Sequence, residues 1–138
     1  MATGRAEFRI MTSPGTLQGT WAAAYVDTYG AVSPEQSQLA VVTVNTQAAA
    51  NGPFSGFGAL RFAGESRRRL FNVSGDVSSG DIVWQWRGAD LFGDTIWHLR
   101  RCNNLLYGSY TNYTSGGALE SRGIGIWMRS SFSSSFTQ

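Results

Sequence analysis

The chain has 138 residues, 42% of them apolar, with 17 Gly and only 3 Pro, enough for one domain with a sizeable core of its own. Its formal net charge of +2 is too small to argue for nucleic acid or an acidic membrane surface as a partner. All eleven cationic side chains are Arg, which excludes Schiff-base chemistry and a Walker-type lysine, and the single Cys102 excludes an intrachain disulfide or a cysteine zinc cage.

Residues 1–16 carry charges at Arg5, Glu7 and Arg9 and do not read as a secretory signal. Within them Glu7–Met11 reads as a short extra strand or cap, closed by Ser13-Pro14-Gly15, a turn signal. No run of about eighteen apolar residues occurs, so no membrane span is expected. The expected setting is cytoplasmic. Leu17–Tyr25 puts Leu17, Gly19, Trp21, Ala23 and Tyr25 on one face of a strand, because alternate side chains point the same way. In Gln38–Asn45 the set Leu39, Val41, Thr43, Asn45 alternates with Ala40, Val42, Val44. Ala48–Pro53 is a connection that a helix can occupy only briefly, since Gly52-Pro53 ends it.

Phe54–Phe62 carries Phe54, Gly56, Gly58, Leu60 and Phe62 on one face, and the glycines there suggest the bending that a barrel requires. Arg69–Gly75 follows. Then comes the stretch DIVWQWRGADLFGDTIWHLRR, Asp81–Arg101, which holds three of the five tryptophans and the only histidine. It reads as two strands, Ile82–Arg87 and Thr95–Arg101, with Ile82, Trp84 and Trp86 on one face of the first. Leu105–Tyr113 and Ser121–Arg129 complete the set, and the Ser-rich residues 133–138 read as a flexible tail.

The count is eight strands with turn-rich links and no convincing amphipathic helix. Such a chain closes most economically into an eight-stranded antiparallel up-and-down β-barrel spanning residues 17–132, because closure removes exposed edges. A two-sheet sandwich is the alternative. An eight-stranded interior is either just filled by side chains or holds one small ligand.

Gly19-Thr20-Trp21, at the start of the first barrel strand, resembles the Gly-x-Trp signature of the calycins, the group of lipocalins, fatty-acid-binding proteins and avidins. Leu106-Tyr107-Gly108-Ser109-Tyr110 and Arg122-Gly123-Ile124-Gly125-Ile126-Trp127 resemble the Gly-punctuated strands of small lipocalin-like proteins. The resemblance covers roughly Leu17 to Arg129. It implies that Trp21 closes one barrel end with Arg129 or Arg122 packed over it, and that the barrel is a cup for a mostly apolar molecule. The chain departs from secreted lipocalins in lacking a disulfide, and the biotin-binding residues of streptavidin do not align onto it.

Trp84, Trp86 and Trp97, with Tyr25, Phe54, Phe62 and Tyr110, are candidates to stack on an aromatic or polyene ligand, or simply to fill the core. Thr43, Asn45, Tyr110 and Asn112 are the polar groups expected to face inward and orient that ligand. His98 is the first candidate general acid or base, although the apolar face made by Thr95, Trp97 and Leu99 would turn it outward. Cys102 reads as an incidental thiol. Arg67-Arg68-Arg69 reads as a solvated turn or as a patch steering an anion to the barrel mouth. No metal site and no cofactor are expected.

Three readings follow. The first is a binding module enclosing a small hydrophobic molecule. The second is a cofactor-independent cyclase or isomerase of natural-product biosynthesis, Diels–Alderase-like, in which Tyr110 or His98 acts on a polyketide- or terpenoid-like substrate that the cavity folds. The third is a structural or interaction domain, with a homodimer as the assembly to look for and Trp127 and the terminal phenylalanines as candidate contacts.

Overall fold

The structure, a computed structural model, describes residues 15–30, 38–61, 66–88 and 93–130. The expected strand at Glu7–Met11, Phe62, and the tail with Phe132 and Phe136 lie outside the described residues. Eight strands follow one another around a closed barrel: β1 (Gly19–Tyr29), β2 (Gln38–Gln47), β3 (Gly52–Arg61), β4 (Arg69–Ser78), β5 (Asp81–Arg87), β6 (Gly93–Cys102), β7 (Leu105–Thr114) and β8 (Leu119–Ser130). Every neighbouring pair is antiparallel, and β8 returns to pair with β1, Trp127 opposite Ala23 and Arg129 opposite Trp21. The fold is therefore the all-β barrel read from the alternation, and a sandwich is excluded. No helix among the described residues is long and apolar enough to cross a membrane.

The barrel's inner wall is built by unequal partners. β5 and β6 send in Ile82, Trp84, Trp86, Trp97 and Leu99, all buried. β8 places glycines where rings from its neighbours need room. A Cβ on Gly125 would lie 2.8 Å from Trp97 Cη2 and 2.9 Å from Tyr25 Cβ, and one on Gly123 would collide with the Tyr110 hydroxyl and the Val26 carbonyl oxygen. Either approach is closer than carbon atoms tolerate, so these positions take glycine because the space is already used.

Ring contacts run without a break through the interior: Phe54 to Trp84 at 6.1 Å between centroids, Trp84 to Trp127 at 4.8 Å, Trp127 to Trp97 at 5.2 Å and Trp97 to Tyr110 at 4.7 Å. Most meet edge to face, the arrangement the ring quadrupole favours, worth about 0.5–1.5 kcal/mol per pair beyond the buried area.

One end of the barrel is plugged by Trp21. Its indole N–H donates to the Leu17 carbonyl at 2.8 Å, and the Leu17 amide donates to Gln47 Oε1. The Arg129 guanidinium lies 4.4 Å from the Trp21 ring centroid, and its N–H groups donate to the Gln18 carbonyl at 2.6 Å and to Asn104 Oδ1 at 3.0 Å. Arg101 adds a second cation 5.9 Å from the same ring and donates to the Gly15 carbonyl at 2.7 Å. Of the two arginines suggested by the calycin resemblance, Arg129 is the one over Trp21. Arg122 instead lies 4.8 Å over Tyr29, towards the other end.

Candidate ligand-binding site at the Tyr110 end

Opposite the Trp21 plug, the ends of β1 and β7 and the starts of β6 and β8 bring polar groups to the aromatic cluster. The alternation that turns Trp21, Ala23 and Tyr25 inward also turns Asp27 inward. The hydroxyl of buried Tyr110 donates to Asp27 Oδ1. Tyr25 packs edge-on to Tyr110 at 5.3 Å, to Trp97 at 5.8 Å and to Trp86 at 6.4 Å. Phe71 stacks on Trp86 at 4.3 Å.

A second polar set crosses three strands beside it. Thr95 Oγ1 donates to Asn112 Oδ1 at 2.6 Å, and Asn112 Nδ2 donates to the oxygen of buried Ser121 at 2.7 Å. These residues sit in register on β6, β7 and β8, so the bonds lock the rim of the barrel.

Burial, and after it the Asp27 charge, pushes the Tyr25 hydroxyl well above the usual phenol range. For Tyr110 the same direction comes from burial first, then from its hydrogen bond to Asp27, then from the charges of Asp27 and Tyr25. Both phenols are therefore neutral at physiological pH and act as hydrogen-bond donors or acceptors, not as bases.

Deeper in, the indole N–H groups of Trp84, Trp86, Trp97 and Trp127 are buried with no hydrogen-bond partner among the described residues. A buried donor left unpaired costs about 1–3 kcal/mol, and native interiors seldom carry several together without a water or ligand to satisfy them. All four belong to rings on inward-facing positions of β5, β6 and β8. The interior is thus apolar in shape and rich in unspent donors.

The structure brings together Tyr25, Trp86, Trp97, Tyr110 and Asn112 from the sequence expectations. Trp84 and Phe54 belong to the same cluster further towards the Trp21 end, in contact with each other and, through Trp84, with Trp127. Other expectations are corrected. Thr43 and Asn45 face outward: the inner face of β2 is Ala40, Val42 and Val44, each almost fully buried, while Thr43 Oγ1 meets Thr20 Oγ1 at 3.0 Å on the outer wall and Asn45 is exposed. Both faces of β2 are largely apolar, so alternation alone left its phase undecided. His98 is exposed between Val83 and Ser109 on the outer surface, the face opposite to that of Trp97 and Tyr110, which removes it as an acid or base for this site. Trp127 is fully buried among Trp84, Trp86 and Trp97, so it is core and not an exposed contact.

Asp27, Thr95 and Ser121 were not expected at the site. The signal for Asp27 is local: it lies two residues beyond Tyr25 and hence on the same face as Trp21. Among the described residues no group of three or more His, Cys, Asp or Glu side chains is placed to hold a metal ion. No known family model matches this chain, and no curated protein matches it. What can be said of its function rests on the barrel itself.

Proposed function

We propose that this protein is a calycin-like binding module that takes a small, largely apolar molecule at the Tyr110 end of the barrel, against a floor of Trp86 and Trp97. The observation that carries this reading is the set of four buried indole N–H groups without acceptors among the described residues. A guest with a carbonyl or ether oxygen satisfies such donors while its apolar body replaces water against the rings. Arg129 over the Trp21 of Gly19-Thr20-Trp21 supports the calycin likeness, and with it a barrel plugged at one end and loaded at the other.

Binding is preferred over cyclase or isomerase chemistry because the Tyr110 hydroxyl, the expected donor to a substrate carbonyl, is already spent on Asp27. The reading is tested by titrating a panel of apolar ring ketones into the protein and following tryptophan emission and thermal unfolding. Saturable quenching with a rise in Tm is expected. Emission and Tm unmoved by every member of the panel would overturn it.

A second reading, self-association, is favoured by one observation. The outward side chains of β8, Ile124, Ile126 and Met128, are 55%, 50% and 59% exposed, and Val26 on β1 and Tyr107 on β7 flank them, also exposed. Apolar side chains side by side across three strands form the type of patch that a second copy would cover. Sedimentation equilibrium checks it: Ile126→Glu is expected to convert a dimer to a monomer, and a monomer at high concentration in the unaltered protein rules it out.

A further inference from the structure

The alternation that turns Trp97 and Leu99 inward on β6 and Trp127 inward on β8 brings Arg101 and Arg129, each two residues further along its strand, to the Trp21 end on the same face. Together they clamp residues 15–18. Arg101 donates from Nε to the Asn103 carbonyl and from Nη1 to the Gly15 carbonyl, both at 2.7 Å, and from Nη1 to the Thr16 carbonyl at 3.5 Å. Arg129, besides its bonds to Gln18 and Asn104, reaches the same Thr16 carbonyl from Nη2 at 3.4 Å. Gly19 keeps the space that this guanidinium needs, since a Cβ there would lie 2.7 Å from Arg129 Nη1.

The clamp satisfies hydrogen bonds and leaves charge. Every acceptor in it is neutral, and two guanidinium groups converge on one carbonyl oxygen. Neither is paired with a carboxylate among the described residues. On this half of the described barrel the acids are Asp81, already paired with Arg100 at 2.6 Å, and Asp76, exposed on β4. The sequence leading into Gly15 carries Arg5 and Arg9 against Glu7, so it adds to the excess of cations. Burial, and after it the charge of Arg129, holds Arg101 below the ordinary guanidinium range, and burial does the same for Arg129. Two like charges side by side and half-buried repel one another, and an anion held against both relieves that repulsion. Arg101 Nη2 makes no hydrogen bond among the described residues. Because both side chains are half-exposed, an anion meets them from solvent and needs no cavity.

We infer that Arg101 and Arg129 form a second binding site, for a divalent oxyanion of phosphate or sulfate type, at the end of the barrel opposite Tyr110. It goes beyond the binding function proposed above and does not depend on it. The anion takes its hydrogen bonds from Arg101 Nη2 and neutralises both guanidinium groups. A tetrahedral dianion suits the pair better than a carboxylate does, because it offers oxygens in several directions and a charge that matches two cations.

The test is calorimetric titration of inorganic phosphate, sulfate and acetate at a constant ionic strength set with chloride, at about pH 8, where phosphate is a dianion. Phosphate and sulfate are expected to saturate one site, and acetate to bind at least about ten-fold more weakly. Arg101→Gln is expected to lose about ten-fold in phosphate affinity, the equivalent of one hydrogen bond to a charged group. Arg101→Lys, which keeps the charge without the fork, is expected to retain part of it and carries the comparison if the glutamine variant does not fold. Arg100→Gln, whose charge is already paired with Asp81, is expected to stay within about two-fold. No saturable binding beyond chloride overturns the site, and acetate binding as tightly as phosphate overturns the choice of a dianion. An equal loss in Arg100→Gln and Arg101→Gln overturns the location and leaves only a diffuse positive potential. Phosphatidylcholine vesicles with and without phosphatidate separate the sources: co-sedimentation that needs phosphatidate and Arg101 upholds the site with a lipid headgroup as ligand, and binding of free phosphate alone upholds it with a soluble one.

Discussion

Trp21 and the other four tryptophans use the same side chain under different terms, and the contrast separates two regions of the barrel. At the Trp21 end the indole N–H has its acceptor in Leu17, the ring face has its cation in Arg129, and that cation has its own acceptors in Gln18 and Asn104. In the interior between Trp21 and Tyr110, four indoles pack as tightly but have no hydrogen-bond partner for their N–H groups among the described residues, and at the Tyr110 end the Asp27 carboxylate takes one phenol. Equal burial with unequal hydrogen bonding is what separates the two regions: the chain itself satisfies the indole donor of Trp21 and leaves the other four without an acceptor among the described residues.

The largest test of that contrast removes a ring shared by the interior cluster. Trp127→Ala takes away contacts to Trp84, Trp86 and Trp97 together and is expected to cost about 3–5 kcal/mol in urea unfolding. A loss under about 1 kcal/mol would mean that the rings do not pack as a unit, and the comparison would fail at its root. Next, Arg129→Ala opens the plug, losing the cation over Trp21 and the bonds to Gln18 and Asn104. About 2–3 kcal/mol of stability should go while probe affinity at the far end stays within two-fold, roughly the scatter expected of distant sites. A large loss of affinity would show that the two ends are coupled.

Tyr110→Phe sharpens the other side. Removing the hydroxyl that Asp27 accepts is expected to destabilise by about 1.5 kcal/mol, the low end for a hydrogen bond to a charged group, measured again by urea unfolding. No change would mean that water replaces the phenol freely and the carboxylate is not held.

The two raised tyrosines add an alkaline limit. The folded protein holds these protons to higher pH than the unfolded chain does, so the stability they carry is complete below the ordinary phenol pKa of about 10 and is lost as pH rises through it. Urea midpoints should fall progressively above about pH 10, less steeply in Tyr110→Phe; a midpoint flat across that range would contradict the burial of both hydroxyls. The smallest effect is expected outside the wall, where His98→Ala should shift stability by less than about 0.5 kcal/mol and leave probe titrations unchanged.

The barrel was legible because most strands declare their phase. Ile82, Trp84 and Trp86 against Val83, Gln85 and Arg87 leave no doubt about which side is wet. β2 makes no such declaration, since Val41 and Val42 are equally apolar, and Thr43 and Asn45 went to the wrong wall for that reason. Tyr25, Tyr110 and Asn112 were found as polar tips on an aromatic face. Asp27 falls beyond the expected strand Leu17–Tyr25, and its partner Tyr110 stands 83 positions away in sequence; that pairing depends on β1, β7 and β8 lying side by side, which no local pattern encodes. Trp127 was misplaced for the opposite reason: its neighbours Ile126 and Met128 are outward and apolar, so the hydrophobicity of β8 gives little hint of which residues are inside.

That inversion in β8 bears on how the barrel shuts. Its inward positions Gly123 and Gly125 are small because rings from β6, β7 and β1 occupy the space, while its bulk, Ile124 and Ile126, hangs on the outside. Sliding the strand by one residue would drive isoleucine into Trp97 and Tyr110, a steric veto far stronger than the loss of any hydrogen bond. The seam between the last strand and the first therefore zips in a single alignment, and an error there leaves the cylinder gaping.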